Sequence, residues 1–347
     1  MGVKGEQIRS FILSQVREHP GTITNLVVEE FEVSRQAVHR HLRELVNLGV
    51  LAGRGVTRGR MYHLVETDRA EVALAITLGL NEDEVWQAQV ADRARDVPHN
   101  VYNICFHGFT EMVNNAKDHS EGTEVRIRFV RTAADITIWI VDNGVGIFKK
   151  ITRAMNLPDP RQAMIELAKG KFTTDPDHHS GEGIFFTSRA CDEFEIRSGD
   201  LSFVHNSKDD WLLKRMETEQ PGTEIMMRVS LMAKRTLKEI FDMFAAPEEF
   251  AFNKTHVPMK LAKFGEANLI SRSQAKRVLE RVDRFAEVIL DFDGVEMIGQ
   301  GFADEMFRVF VRSNPGVKLL AINTNKSVDQ MIRRAQGHDV KRETNGK

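Results

Sequence analysis

Ile136-Thr137-Ile138-Trp139-Ile140-Val141-Asp142-Asn143-Gly144-Val145-Gly146-Ile147 is the stretch whose reading decides the fold. Its first half reads as a strand rich in β-branched and aromatic residues. It ends on an acid followed by two glycines two residues apart. Glycine lets main chain come close to a bound group, so a carboxylate beside such a loop can meet a ligand.

Outward from this strand the pattern stays regular. A helix is predicted over His99–His119, with Val101, Ile104, Cys105, Phe109, Met112 and Val113 as its apolar stripe. Glu111 and Asn115 are four apart and share a face, and Asp118 lies three further on. Residues 124–131 and 136–141 read as an antiparallel pair turned by 132–135. Beyond the glycines come a turn at 156–160, a helix at 161–169 and a polar segment at 170–182, expected to be a mobile lid. A helix at 183–191 and four short strands at 194–198, 202–205, 211–216 and 223–229 follow.

Phosphoryl chemistry on a nucleotide needs a metal, a group that positions the nucleophile, and donors around the phosphates. Asn115 offers a side-chain carbonyl to Mg²⁺, a cation that takes oxygen ligands. Glu111, one turn earlier, can orient or deprotonate a water or hydroxyl. Asp142 can accept a hydrogen bond from an adenine amino group, with Gly144 and Gly146 leaving room for the base. Thr223 can support the same side. Gly181 and Gly183 precede a helix whose free amides suit phosphates. Lys169 and Lys171 sit where a terminal phosphate could be reached.

Glu111-x-x-x-Asn115, Asp142-x-Gly144-x-Gly146 and Gly181-x-Gly183, in this order, resemble the motifs of the GHKL superfamily. That superfamily takes in DNA gyrase, the ninety-kilodalton heat-shock chaperone, histidine kinases and MutL. The resemblance spans about 130 residues. It implies a Bergerat-type α/β sandwich, helices on a mixed or antiparallel sheet, over residues 98–230. It implies ATP and Mg²⁺ as cofactors, with Glu111 catalytic, Asn115 on the magnesium and Asp142 reading adenine. Asp118, Gly144, Gly146, Lys171, Gly181, Gly183 and Thr223 would be further nucleotide contacts. Within the superfamily, residues 111–119 look closest to the anti-sigma-factor serine kinases. His107, four before Glu111, is expected at the surface. His178-His179 lack a third ligand for a metal.

Residues 1–65 read as three helices and a hairpin. Ile8, Phe11, Ile12 and Val16 repeat at helical spacing, and Ser34 can cap a third helix. The outer side of that helix carries Arg35, Gln36, His39, Arg40 and Arg43, and the hairpin carries Arg54, Arg58 and Arg60. The segment resembles a winged helix-turn-helix of bacterial repressors, which implies DNA as a partner. A helix with Arg and Gln suits the major groove, and wing arginines suit phosphate or the minor groove. Nine Lys/Arg against six Asp/Glu give this segment a local excess of three positive charges in a chain of net charge −2.

Residues 66–97 read as a helical connector and 231–249 as a linker that holds a helix at 235–244. Residues 250–336 alternate strand and helix, with strands at 287–292 and 317–322 and helices at 301–312 and 327–335. Ser271 or Ser273 is expected to cap an earlier helix there. Residues 337–347 are expected to be a loose tail. Residues 286–335 resemble a STAS domain, the fold of anti-sigma-factor antagonists, so the fold class is multidomain α+β. That family's phosphorylatable serine falls here at Gly299 or Gln300. Cys105 and Cys191 suggest no disulfide framework, and no run of about 18 apolar residues suggests a membrane span. Absent targeting signals, the cytoplasm is expected.

Three functions fit. One is an ATP-controlled DNA-binding regulator whose own STAS-like unit serves as an intramolecular partner. The second is a serine/threonine protein kinase acting on a separate protein. The third is a slow ATPase clamp, which would require a homodimer.

Overall fold

A computed structural model describes residues 3–56, 59–172, 181–206, 212–245, 252–263 and 268–343. Arg58, His178 and His179 lie outside these.

The amino-terminal unit is three helices, α1 (Val3–Gln15), α2 (Ile23–Phe31) and α3 (Arg35–Asn47), followed by an antiparallel ribbon of β1 (Leu51–Arg54) and β2 (Met61–Leu64). Ser34 Oγ accepts from the amide of Ala37 and starts α3. Ile8, Ile12, Val27, Val38, Leu42 and Tyr62 form a core of their own, separate from the rest of the molecule. His41 joins that core, buried on a helix face that sequence reading left to apolar residues. Arg17 Nη2 reaches both carboxylate oxygens of Asp135, at 2.9 and 2.8 Å, and ties this unit to the central sheet.

The central unit holds β3 (Asp68–Ala75), α4 (Glu82–Gln89), α5 (His99–His119), β4 (Glu124–Arg131), β5 (Asp135–Asp142), α6 (Ile147–Ala154), α7 (Gln162–Lys169), α8 (Gly183–Ala190), β6 (Glu193–Asn206) and β7 (Leu212–Ser230). The sheet runs β3-β4-β5-β7-β6, with every neighbouring pair antiparallel. The expected connector therefore contains an edge strand: β3 pairs with β4 from Asp68↔Arg131 to Ala75↔Glu124. Half-buried Ala70, Val72 and Leu74 alternate there with exposed Arg69, Glu71 and Ala73, the period-2 signal of a strand. The four short strands are instead two long ones, irregular in register between Arg197 and Leu201. Ile136, Ile138 and Ile140 of β5 turn into the helices, which fixes the orientation of Asp142 at the strand end.

The carboxy-terminal unit begins with α9 (Leu237–Phe244), the helix expected at 235–244. Phe241 and Phe244 pack on Phe186 and Phe185, ring centroids 4.3 and 4.9 Å apart. Then come β8 (Lys254–Pro258), α10 (Arg272–Leu279), β9 (Glu287–Asp291), α11 (Gln300–Asp304), a π-helical stretch at Glu305–Phe310, α12 (Val311–Ser313), β10 (Lys318–Ile322) and α13 (Lys326–Glu343). The parallel sheet is ordered β10-β9-β8, so a third strand joins the two expected. Ser271, rather than Ser273, caps α10 in a capping box with Gln274. The tail expected to be loose is helical as far as Glu343. Central and carboxy-terminal units share one continuous hydrophobic core. Among the described residues no helix is long and apolar enough to cross a membrane.

Candidate functional site

A cavity of about 260 Å³ opens between α5, β5, β7 and the segments around α6 and α8. Its walls bring together seven residues singled out from sequence: Glu111, Asn115, Asp142, Gly146, Gly181, Gly183 and Thr223. Local structure explains how. Glu111 and Asn115 lie one turn apart on α5, beside Met112 and Ala116. Asp142 pairs across the sheet with Thr223, and Ile140 with Ile225, so two strand ends present a polar pair above an apolar floor.

Three glycines make the close approaches possible. Gly146 has φ +86°, and a Cβ there would lie 2.5 Å from Ser198 Oγ. Gly222 has φ +68°, and its missing Cβ would strike the main-chain oxygen of Asp142. Gly183 faces Glu111, whose carboxylate occupies the space a side chain would need.

Asp142 is almost fully buried. Its Oδ1 accepts from the amides of Gly144 at 2.8 Å and Thr223 at 3.2 Å. Burial raises its pKa above the ordinary carboxylate value, and these hydrogen bonds oppose that shift. Thr223 Oγ1 accepts from the amide of Ile147 at 3.0 Å, which holds the first turn of α6 against the same strand.

Three expected contacts fall elsewhere. Asp118 is exposed and off the cavity wall, although it continues the helix face of Glu111 and Asn115 one turn further on. Gly144 is not on the wall either; its missing Cβ would collide with Ser120, so it serves the packing of the loop on the end of α5. Lys171 points to the carboxy-terminal unit, with Nζ 3.2 Å from the carbonyl of Arg284 and 4.8 Å from the Phe285 ring centroid. Burial lowers the pKa of Lys171. Lys169 is buried too: Nζ pairs with Glu166 at 2.6 Å and donates to the carbonyl of Glu280 at 2.8 Å. His107 is largely buried, 5.7 Å from Phe241, and burial lowers its pKa.

Lys150 lines the cavity and was missed. Its Nζ donates to the carbonyl of His119 at 2.7 Å and pairs with Glu121 at 3.2 Å. The signal for it is its place one helical turn past Gly146, on α6. Phe172 was missed for a different reason: nothing in a polar segment marks one aromatic as a wall. No group of three or more His, Cys, Asp or Glu that could hold a metal occurs among the described residues. On the cavity wall Asn115 offers a side-chain oxygen of the kind magnesium takes, one ligand rather than an all-protein cage.

In the amino-terminal unit, Arg35, Gln36, His39, Arg40 and Arg43 are all exposed on α3, and Arg54 and Arg60 are exposed on the ribbon. The Arg60 guanidinium sits 5.3 Å from the Tyr62 ring centroid. In the carboxy-terminal unit, Gly299 precedes α11, and a Cβ there would lie 2.7 Å from Ile270 Cα. Of the two positions where the family's phosphorylatable serine would fall, Gly299 is thus closed off by main chain and Gln300 is exposed at the start of α11.

No match is found among curated proteins. Within the carboxy-terminal unit, residues 274–329 match a family described as a STAS-like domain of unknown function (DUF4325), and this part of the chain is a STAS-like domain.

Proposed function

We propose that the protein is an ATP-binding, DNA-binding regulator, in which a GHKL-type nucleotide domain acts together with its own STAS-like domain on a winged helix-turn-helix. The observation that carries the reading is the single cavity shared by Glu111, Asn115, Asp142, Gly146, Gly181, Gly183 and Thr223. Three sequence motifs far apart along the chain converge there, on helices packed against an antiparallel sheet, which supports a Bergerat-type reading. The apolar floor of Ile140 and Ile225 suits a purine, and Asp142 suits its exocyclic amine. Mg²⁺ bound with the phosphates would supply charge neutralisation on the transferring group. Asn115 would orient toward that ion through its side-chain oxygen, and the Glu111 carboxylate would orient or deprotonate the attacking water or hydroxyl beside the amides that open α8.

The exposed basic face of α3 and the arginines of the ribbon support DNA as the partner of the amino-terminal unit. The main chain packed at Gly299 favours a regulatory STAS-like domain over one phosphorylated in that loop. The test is a mobility shift with and without Mg-ATP, joined to a chromatographic readout of labelled ATP. Nucleotide-dependent DNA affinity supports the regulator; identical affinity sinks the coupling. Label on a second protein instead points to a kinase, and free phosphate alone to an ATPase clamp.

A further inference from the structure

We propose that Arg281, in the STAS-like domain, is a positioning residue for the wall of the nucleotide cavity, so that cavity occupancy and docking of that domain are coupled. This rests on the nucleotide reading above. Gly170 and Phe172 line the cavity directly after α7. Arg281 lies beyond α10 and makes three contacts with that stretch. Its Nη1 donates to Glu166 Oε2 at 2.8 Å, on α7. Its Nη2 donates to the carbonyl of Lys171, the residue between the two wall positions. Its guanidinium carbon lies 5.1 Å from the ring centroid of Phe172.

One planar fork therefore grips a helix, a main-chain carbonyl and an aromatic wall at once, which an ammonium group cannot do. The grip is enclosed: Glu166 and Lys169 are both buried, and Lys169 donates back to Glu280, the residue before Arg281. Gly170 has φ +78°, with the rings of Phe185 and Phe252 2.8 Å from where its Cβ would be, so this stretch has little freedom of its own. A ligand pressing on Phe172 must work against Arg281, and by reciprocity a shift of Arg281 must alter the affinity of the cavity.

Titration calorimetry with Mg-ADP on the full chain and on Arg281→Lys tests this, since lysine keeps the charge opposite Glu166 and loses the fork. The variant's Kd should rise about tenfold, while its melting temperature without nucleotide moves by less than about 4 °C. Hydrogen exchange on the unaltered chain gives a second test that needs no variant: saturating Mg-ADP should slow exchange at residues 171–172 and 281–285 together. Equal Kd values in a folded variant, or exchange at 281–285 indifferent to bound ADP, would overturn the role of Arg281 alone. No heat from the unaltered chain would overturn the nucleotide reading and this proposal with it.

Discussion

The carboxylate of Glu111 fills the space into which a side chain at Gly183 would project. The acid of one motif and the glycine of another, 72 positions apart in the numbering, are thus fitted to each other (183 − 111 = 72). Gly183→Ala should destabilise the chain by about 1–3 kcal/mol through overpacking. In a Glu111→Ala background the same change should cost less than half as much, because the obstructing group is gone. Denaturant melts of the four chains measure this; equal costs in both backgrounds would separate the two residues.

Asp142 gives a prediction with a pH sign. Burial raises its native pKa, so the folded chain keeps a proton that the unfolded chain has released. Its contribution to stability is therefore full below the unfolded carboxylate value, about 4, and is lost as pH rises through the raised native value. Asn can still accept from Gly144 and Thr223. Asp142→Asn without nucleotide should thus be at least as stable as the parent at pH 7, with the difference narrowing toward pH 4. ADP at 100 times its Kd should stabilise the parent by about 2.7 kcal/mol and the variant hardly at all. Thermal melts across pH, with and without ADP, read both effects.

The shared core predicts joint unfolding. Glu166 lies buried between Lys169 and Arg281. Glu166→Gln leaves two cations facing each other and should cost about 3–5 kcal/mol. The loss should appear in one transition of the central and STAS-like units together, with the amino-terminal unit melting apart because its core is separate. Cys105 and Cys191 report on this. Both are buried, and burial pushes the Cys105 thiol up to about 12 and Cys191 well above its usual value. Both should react with a thiol reagent only in that main transition, and at the same rate.

Much of this was legible in the sequence, and the failures have physical causes. Long amphipathic elements such as α5 and β4 declare themselves by period, and the cavity motifs by spacing. What sequence cannot show is which way a side chain leaves its element. Lys169 and Lys171 look like phosphate ligands in a polar segment, yet both turn toward a domain more than 100 residues later. At 231–249 the helix was legible but its docking was not: charges on it suggest a solvated linker until Phe241 and Phe244 are seen against Phe186 and Phe185. The edge strand β3 was readable from Ala70, Val72 and Leu74, but its exposed, charged alternate positions resemble a connector.

The amino-terminal unit predicts a salt signature. Arg40 is exposed on α3. Arg40→Ala should weaken DNA binding and reduce the slope of log affinity against log salt by about 1. Arg126→Ala, exposed on the central sheet, should change neither. Fluorescence anisotropy over a salt series distinguishes the two.

The central claim is a nucleotide held between Glu111, Asn115 and Asp142. Titration calorimetry of the full chain with ADP and ATP, each with and without Mg²⁺, tests it most directly. The account predicts saturable one-to-one binding that magnesium tightens and Asp142→Asn abolishes. Absence of heat from either nucleotide, or unchanged binding by Asp142→Asn, would contradict it.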